Sequence, residues 1–410
     1  MRCIIKQYVC FFILYVFIAA LISSCKEILP KPIAKTTTIP PSKGKIDSLA
    51  ALDSLPSFRN PVGLAVDASG NIYVADYGNN LIRKISTTGV VSTIAGDSTR
   101  SGSSDGTGTN ASFNGPAGIA VDASGNLYIT DSGNNLIRKI NNSGLVSTIA
   151  GGDTLAMANG NGAAASFFQP LGISLDSEGN LYVADAGNNA IRLISPTGAV
   201  STFSTNLDTT SLFNNPTGVA VDAENNVFVA NYLNNNILKI DQSGKAHIYA
   251  GLGNPGNLNG SADTALFYLP NSIVLDGNGN IYVADGINNL IRKIYSNGQV
   301  STFAGNGQAG NIDSTGTAAS FNGPSGLAID VLGNIYVADT NNNLIRKVTP
   351  GGLVTTIAGS GLAGNKNSYA IFKTGKAIFN KKPNSRLQLP LKYRKFKKLK
   401  ISRIQDNKLK

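Results

Sequence analysis

An aspartate and an arginine seven residues apart recur along this chain, and they are the first residues in it that could do chemistry. The pairs are Asp76 and Arg83, Asp131 and Arg138, Asp185 and Arg192, Asp285 and Arg292, and Asp339 and Arg346. Rows of carboxylates and guanidiniums can line a binding ring, or they can pair with each other inside the fold. Where a further pair is due, Asn231 replaces the aspartate and Leu238 replaces the arginine together. Joint loss is expected of partners, because removing one alone leaves an uncompensated, partly buried charge. The pairs are therefore expected to hold the fold rather than a ligand. A second row, Asp67, Asp122, Asp176, Asp222, Asp276 and Asp330, precedes turns that mostly contain Gly-Asn. An aspartate so placed can accept backbone N–H groups of its own turn. The alternative is a ring of oxygens holding Ca²⁺, although no spacing here makes a dedicated calcium loop.

Other side chains exclude chemistry. The 410 residues include one histidine, His247, no tryptophan, and three cysteines, Cys3, Cys10 and Cys25. Beyond residue 25 no intramolecular disulfide, Cys/His zinc site or cysteine nucleophile can form. His247 takes a position held elsewhere by Ser92, Ser147, Ser201, Ser301 and Thr355, which marks an exposed strand residue rather than a ligand or general base. No nucleophile motif, phosphate-binding glycine loop or distinctive carboxylate pair stands out. The net charge of +11 is unevenly spread: residues 1–49 carry seven bases and two acids, and residues 366–410 carry 15 bases and one acid. That leaves 13 bases against 21 acids, a net charge of −8, in residues 50–365. A body of that sign disfavours nucleic acid as a partner.

The elements that must position these residues are written six times. Pro61, Pro116, Pro170, Pro216, Pro270 and Pro324 each stand three residues after a phenylalanine, at spacings of 55, 54, 46, 54 and 54. Each proline opens four apolar runs rich in Val, Ile and Tyr, separated by Asp/Asn/Gly turns, which is a strand-and-hairpin signature. Four antiparallel strands repeated at this length describe a propeller blade, whose faces are buried only against neighbouring blades. The expected fold is all-β, a β-propeller of six four-stranded blades over residues 58–365. At Tyr73–Ile85, Tyr282–Ile294 and Tyr336–Val348 the sequence Tyr-Val-Ala-Asp followed by Asn-Leu-Ile-Arg-Lys resembles the NHL repeat family. The resemblance implies this fold for residues 58–359 and leaves function open, because the family includes protein-binding, RNA-binding and enzymatic members.

The ends read differently. Arg2 and Lys6 precede an apolar run over residues 9–22 and then Ser23, Ser24 and Cys25. This suits a signal peptide of residues 1–24, and the segment resembles a lipobox in which Cys25 is lipidated. Residues 25–57, with Pro30, Pro32, Pro40 and Pro41, read as a flexible tether. The expectation is an exported protein anchored by lipid to a bacterial membrane, on the outer membrane or cell surface. Residues 366–410 read as a basic tail, disordered or the remnant of a further repeat read out of frame. Thr374-Gly375 resembles the start of a seventh unit, and Ile401–Asp406 can be encoded so that another frame spells a repeat-like Ile-Ala-Asp-Thr-Gly.

Function is expected where the repeats differ, in the long connections 97–110, 152–165, 251–265 and 305–319. The connection 204–212 is shorter and should leave a gap. The leading expectation is a non-catalytic, monomeric scaffold that binds a protein, peptide or glycan and needs no cofactor. The glycan is the less favoured, because sugar platforms draw on aromatic faces and tryptophan is absent. The alternative is a metal-dependent lyase or hydrolase using Asp and Asn residues of the central channel.

Overall fold

The computed structural model describes residues 55–152, 157–205 and 211–369. They form six antiparallel sheets, each built from four consecutive strands. The second blade illustrates them all: an inner strand Pro116–Val121, a second Leu127–Asp131, a third Leu136–Ile140 and an outer strand Leu145–Ala150. Proline opens every inner strand because it has no N–H to give, and the first residue of an edge strand needs none. The second strands are the most deeply set, with all five residues buried in Ile72–Asp76, Leu181–Asp185, Val227–Asn231, Ile281–Asp285 and Ile335–Asp339.

The core lies between blades rather than inside them. One cluster joins Ala75 and Ile82 of the first blade to Ile119, Ile129 and Val146 of the second, and another joins Val74 and Ile85 of the first to Ala338 and Ile345 of the sixth. The inner strands touch in cyclic order, first to second through sixth to first, so the ring is closed. They approach backbone to backbone: a Cβ on Gly63 would collide with the Ala117 carbonyl, and one on Gly326 with the Val62 carbonyl.

The connections do more than join blades. Gly106–Thr107, Gly160–Asn161 and Gly260–Ser261 are two-residue strands that pair antiparallel with the outer strands of the second, third and fifth blades. In the sixth blade a single bridge, Thr315 to Leu353, takes that place. In the first blade the added strand comes from the far end of the chain. Ser368–Tyr369 pairs with Val90 and Val91, as Gly106–Thr107 pairs with Leu145 and Val146. Ser57 N–H donates to the Lys366 carbonyl at 3.2 Å, and Gly364 N–H donates to the Phe58 carbonyl at 2.9 Å.

The ring therefore runs to Tyr369, four residues past the boundary that the charge run suggests. Residues 361–369 act as the missing sixth-to-first connection. The proposed signal peptide, Cys25, most of the tether and residues 370–410 lie outside the described residues.

Candidate functional site

The five paired arginines each make four side-chain hydrogen bonds. Arg138 Nη1 donates to Asp131 Oδ2 at 2.8 Å and to the Ser112 carbonyl at 3.1 Å. Its Nη2 donates to the Ser104 carbonyl at 3.0 Å and to Asp105 Oδ1 at 2.8 Å, both on the docked connection. Thr148 on the outer strand adds its hydroxyl to the same Asp105 oxygen at 3.1 Å. The guanidinium carbon lies 5.2 Å from the Phe113 ring centre, a cation–π contact that uses the recurring phenylalanine. The same set is built around Arg83, Arg192, Arg292 and Arg346, with Asn367, Asn159, Asn259 and Asp313 as the connection's acceptors. Each arginine thus staples the strand-end aspartate, the segment before the phenylalanine and the connection into one unit.

All five Asp–Arg pairs meet at 2.7–3.0 Å with both side chains fully buried. Each aspartate also accepts a backbone N–H, as Asp131 does from Asn114 at 2.7 Å, and an asparagine amide, as Asp131 does from Asn134 at 2.8 Å. Burial pushes the Asp76 carboxyl up to about 6, against the pull of these bonds and of the Arg83 charge. Burial likewise raises Asp131, Asp185, Asp285 and Asp339. Among the described residues the Nε of each of these arginines has no partner, but it is buried with the rest of the pair and presents no surface to a ligand.

The second row of aspartates is used up as fully. Asp67 Oδ1 accepts from Ser69 N–H at 3.0 Å and Asn71 N–H at 2.8 Å, and Oδ2 accepts from the Asn71 amide at 2.8 Å and the Tyr73 hydroxyl at 3.0 Å. Burial alone would raise this carboxyl, but the four hydrogen bonds outweigh it and hold it below the usual range. Tyr73 is pushed up to about 12 by burial and by its bond to Asp67. The six inner strands contain no acidic residue. Among the described residues no three His, Cys, Asp or Glu side chains gather as metal ligands.

Residues that the sequence reading passed over tie blade to blade. Asn80, Asn135, Asn189, Asn235, Asn289 and Asn343 are left-handed, with φ of 51–58°, which asparagine tolerates better than most side chains. Each Oδ1 accepts an N–H from the next blade, as Asn80 does from Gly115 at 2.8 Å, and Asn343 closes the ring on Asn60 at 2.9 Å. Their signal was the Asn-Asn turn of every unit. The connection acceptors Asp105, Asn159, Asn259 and Asp313 also recur at the unit spacing and could have been found that way.

The fourth blade departs from all of this. Its preceding connection is eight residues shorter, since Pro216 follows Pro170 by 46 residues where 54 is usual. Among the described residues no strand is added to its outer edge, Ala246–Ala250. The carbonyl before the phenylalanine, that of Leu212, is met by Asn231 Nδ2 at 2.7 Å instead of by an arginine, and the same amide donates to Asn236 Oδ1 at 2.8 Å. Leu238 is fully buried, and Ile248 replaces the hydroxyl that elsewhere binds the connection. His247 is exposed on this strand. Beside the bare edge, a cleft of about 330 Å³ opens between Ile248 and Tyr249 on one side and Ser261, Asp263 and Asn297 of the fifth blade on the other. Ile248 is 53% exposed. Each long connection gives two residues, or in the sixth blade one bridge, to a sheet edge and is otherwise largely exposed.

Six radial sheets closed through a docked terminal segment define a six-bladed β-propeller. The NHL repeat model matches residues 58–85, 113–140, 167–192 and 321–348. Four of the six units thus match the NHL repeat, on a β-propeller fold. It is 28% identical over 343 residues to NHL repeat-containing protein 2 of Bos taurus, which spans 75% of this chain and 40% of that protein. The chain spans less than half the length of the curated relatives it matches. A protein of unknown function from Bacteroides thetaiotaomicron has a similar structure, with a TM-score of 0.56 and 21% identity over 71% of this chain and 69% of that one. An auxiliary nutrient binding protein from the same organism gives a TM-score of 0.54 and 18% identity over 73% and 70% of the two chains. These two structures share the fold.

Proposed function

We propose that the protein is a non-catalytic binding scaffold, held on a bacterial membrane through a lipidated Cys25, that binds a protein or peptide on its propeller. The observation that carries this reading is the use of the recurring ionisable groups. The five buried ion pairs and the six turn aspartates are bonded within the repeats, which leaves the interruption of the repeat as the place for recognition. Similarity to an auxiliary nutrient binding protein fits a binding role on this fold. A glycan is less favoured, because the sequence has no tryptophan to offer a sugar face.

The test is metal analysis and binding on one preparation. The purified full-length protein should carry no stoichiometric divalent ion and should retain a defined surface protein from an extract of the producing bacterium. One tightly held divalent ion per chain, together with turnover of a lactone or lyase substrate, would overturn the scaffold reading in favour of an enzyme. Cys25→Ala should move the protein from the membrane fraction to the soluble fraction. If it stays with the membrane, the anchor is wrong.

A further inference from the structure

Among the described residues the outer edge of the fourth blade, Ala246–Ala250, has no strand added to it. The other blades show what covers such an edge: an extended segment, antiparallel to the outer strand, with an Asx side chain placed against an arginine and a threonine. In the fourth blade the backbone of Lys245 faces inward, its carbonyl accepting from Asp241 N–H at 3.1 Å. By the alternation of an antiparallel ladder, Ala246 and Ile248 then turn their N–H and C=O groups outward. The corresponding outward N–H in the sixth blade, that of Val354, donates to the Ser314 carbonyl of the docked connection at 2.8 Å. Among the described residues nothing bonds to the outward groups of Ala246 and Ile248.

We propose that this edge takes an extended segment of a partner protein by strand addition, with an apolar side chain of that segment lying against Ile248. The inference rests on the scaffold reading and names its site and ligand class. Strand addition uses main-chain hydrogen bonds for affinity and adjacent pockets for choice of side chain. The chemistry of the side chain follows from three changes at once. Where an arginine and a threonine bind Asx in the other blades, the fourth has a fully buried Leu238 and an exposed Ile248, and its connection is eight residues shorter. An Asx side chain placed there would lose both donors, whereas Val, Ile or Leu would cover Ile248. The cleft toward Ser261 and Asp263 lies next to this position and admits the following side chain.

The experiment uses the full-length protein and a labelled synthetic peptide based on residues 257–262, the segment that covers the fifth blade, with Asn259→Val. Fluorescence anisotropy should show saturable binding in a one-to-one complex. The unsubstituted peptide, with asparagine at that position, should bind about tenfold more weakly, as expected for one unpaired polar group. N-methylation of the pairing amides should abolish binding. Ile248→Lys should abolish it while leaving the denaturation midpoint unchanged, since the side chain is mostly solvent-exposed. Ala246→Pro, which removes only an outward donor, is an independent check that does not alter side-chain polarity.

No saturable binding, or binding that survives N-methylation and Ile248→Lys, overturns the proposal. So does a dimer in sedimentation that Ile248→Lys dissociates, because the edge would then be taken by a second copy. If Ile248→Lys leaves retention of the surface partner intact while peptide binding is absent, the edge is wrong and the scaffold reading stands.

Discussion

The second and fourth blades share a strand order, a register and a buried phenylalanine, and they differ in what lies on the outer edge. In the second, Arg138 holds Asp105 and the Ser104 carbonyl of a docked connection. In the fourth, that connection is eight residues shorter and the arginine, its aspartate and the outer threonine are gone together. The difference shows what the arginine is for. An Asp–Arg pair alone could have survived in the fourth blade, but two of the four acceptors of the guanidinium sit on the connection. Without them a buried cation would be left half bonded, at a cost of several kcal/mol. The amides of Asn231 and Asn234 satisfy the remaining carbonyl with neutral groups.

The first blade offers the largest break in this comparison, because its cover is separate in sequence. A chain ending at Gly359 should leave Arg83 without the Lys366 carbonyl and Asn367. Each bond to a charged group contributes about 1.5–3 kcal/mol, so the denaturation midpoint should fall steeply. A chain ending at Tyr369 should behave as the full-length protein does. Equal stability of the two would refute the clasp.

Next in size is Asp285→Ala, which strands Arg292 and should cost about 3–5 kcal/mol in urea denaturation. Asp285→Asn with Leu290→Asn and Arg292→Leu copies the fourth blade and should recover much of that loss. The unpaired Asn259 and Leu258 carbonyl should then make the connection 252–262 the first site of limited proteolysis. Losses that do not differ between the single and triple variants would sink the pairing.

The reverse exchange is somewhat smaller. Leu238→Arg should cost roughly 3 kcal/mol, and adding Asn231→Asp should restore only part of it, since the outer acceptors are still absent. Full restoration would show that the connection plays no part.

The smallest effect concerns pH. The folded state holds the Tyr73 hydroxyl neutral up to about 12, above the ordinary value of 10.0, through burial and its bond to Asp67. The stabilisation is therefore complete below pH 10 and is lost as pH rises through 12. Tyr73→Phe should lower stability at neutral pH and flatten the decline between these values. The fourth blade already has Phe228 at this position, so Phe228→Tyr should steepen it. A slope that neither variant changes would remove the tyrosine–aspartate bond from the account.

Most of the fold was legible because it is repeated. Phe-x-x-Pro openings and Asp/Asn/Gly turns mark strand boundaries locally, and six copies fix blade number. The partnership of Asp and Arg could be read from their joint replacement at Asn231 and Leu238. The added strands could not, because Gly106–Thr107 and its equivalents are two residues long and lie within turn-like sequence. Gly-rich connections of this kind read as loops until something shows the edge on which they lie. For the same reason Arg138, Asp105 and Thr148 are readable as recurring residues but not as one cluster: they are 33 and 43 residues apart in pairs that only the folded connection brings together. The boundary near residue 365 followed charge, but Lys366 contributes its backbone and the side chain at 367 is the ligand that Arg83 needs.

The clasp also sets an order in time. The first blade is the first to be synthesised and the last to be completed, since Arg83 waits 283 residues for the Lys366 carbonyl. At roughly 5–20 residues per second, that interval is on the order of 15–60 s on the ribosome. Throughout it, the sheet that will seal the ring presents an open edge and a partly bonded arginine. Assembly of the second, third, fifth and sixth blades, whose covers precede their own strands in the chain, can run ahead of the blade that began it.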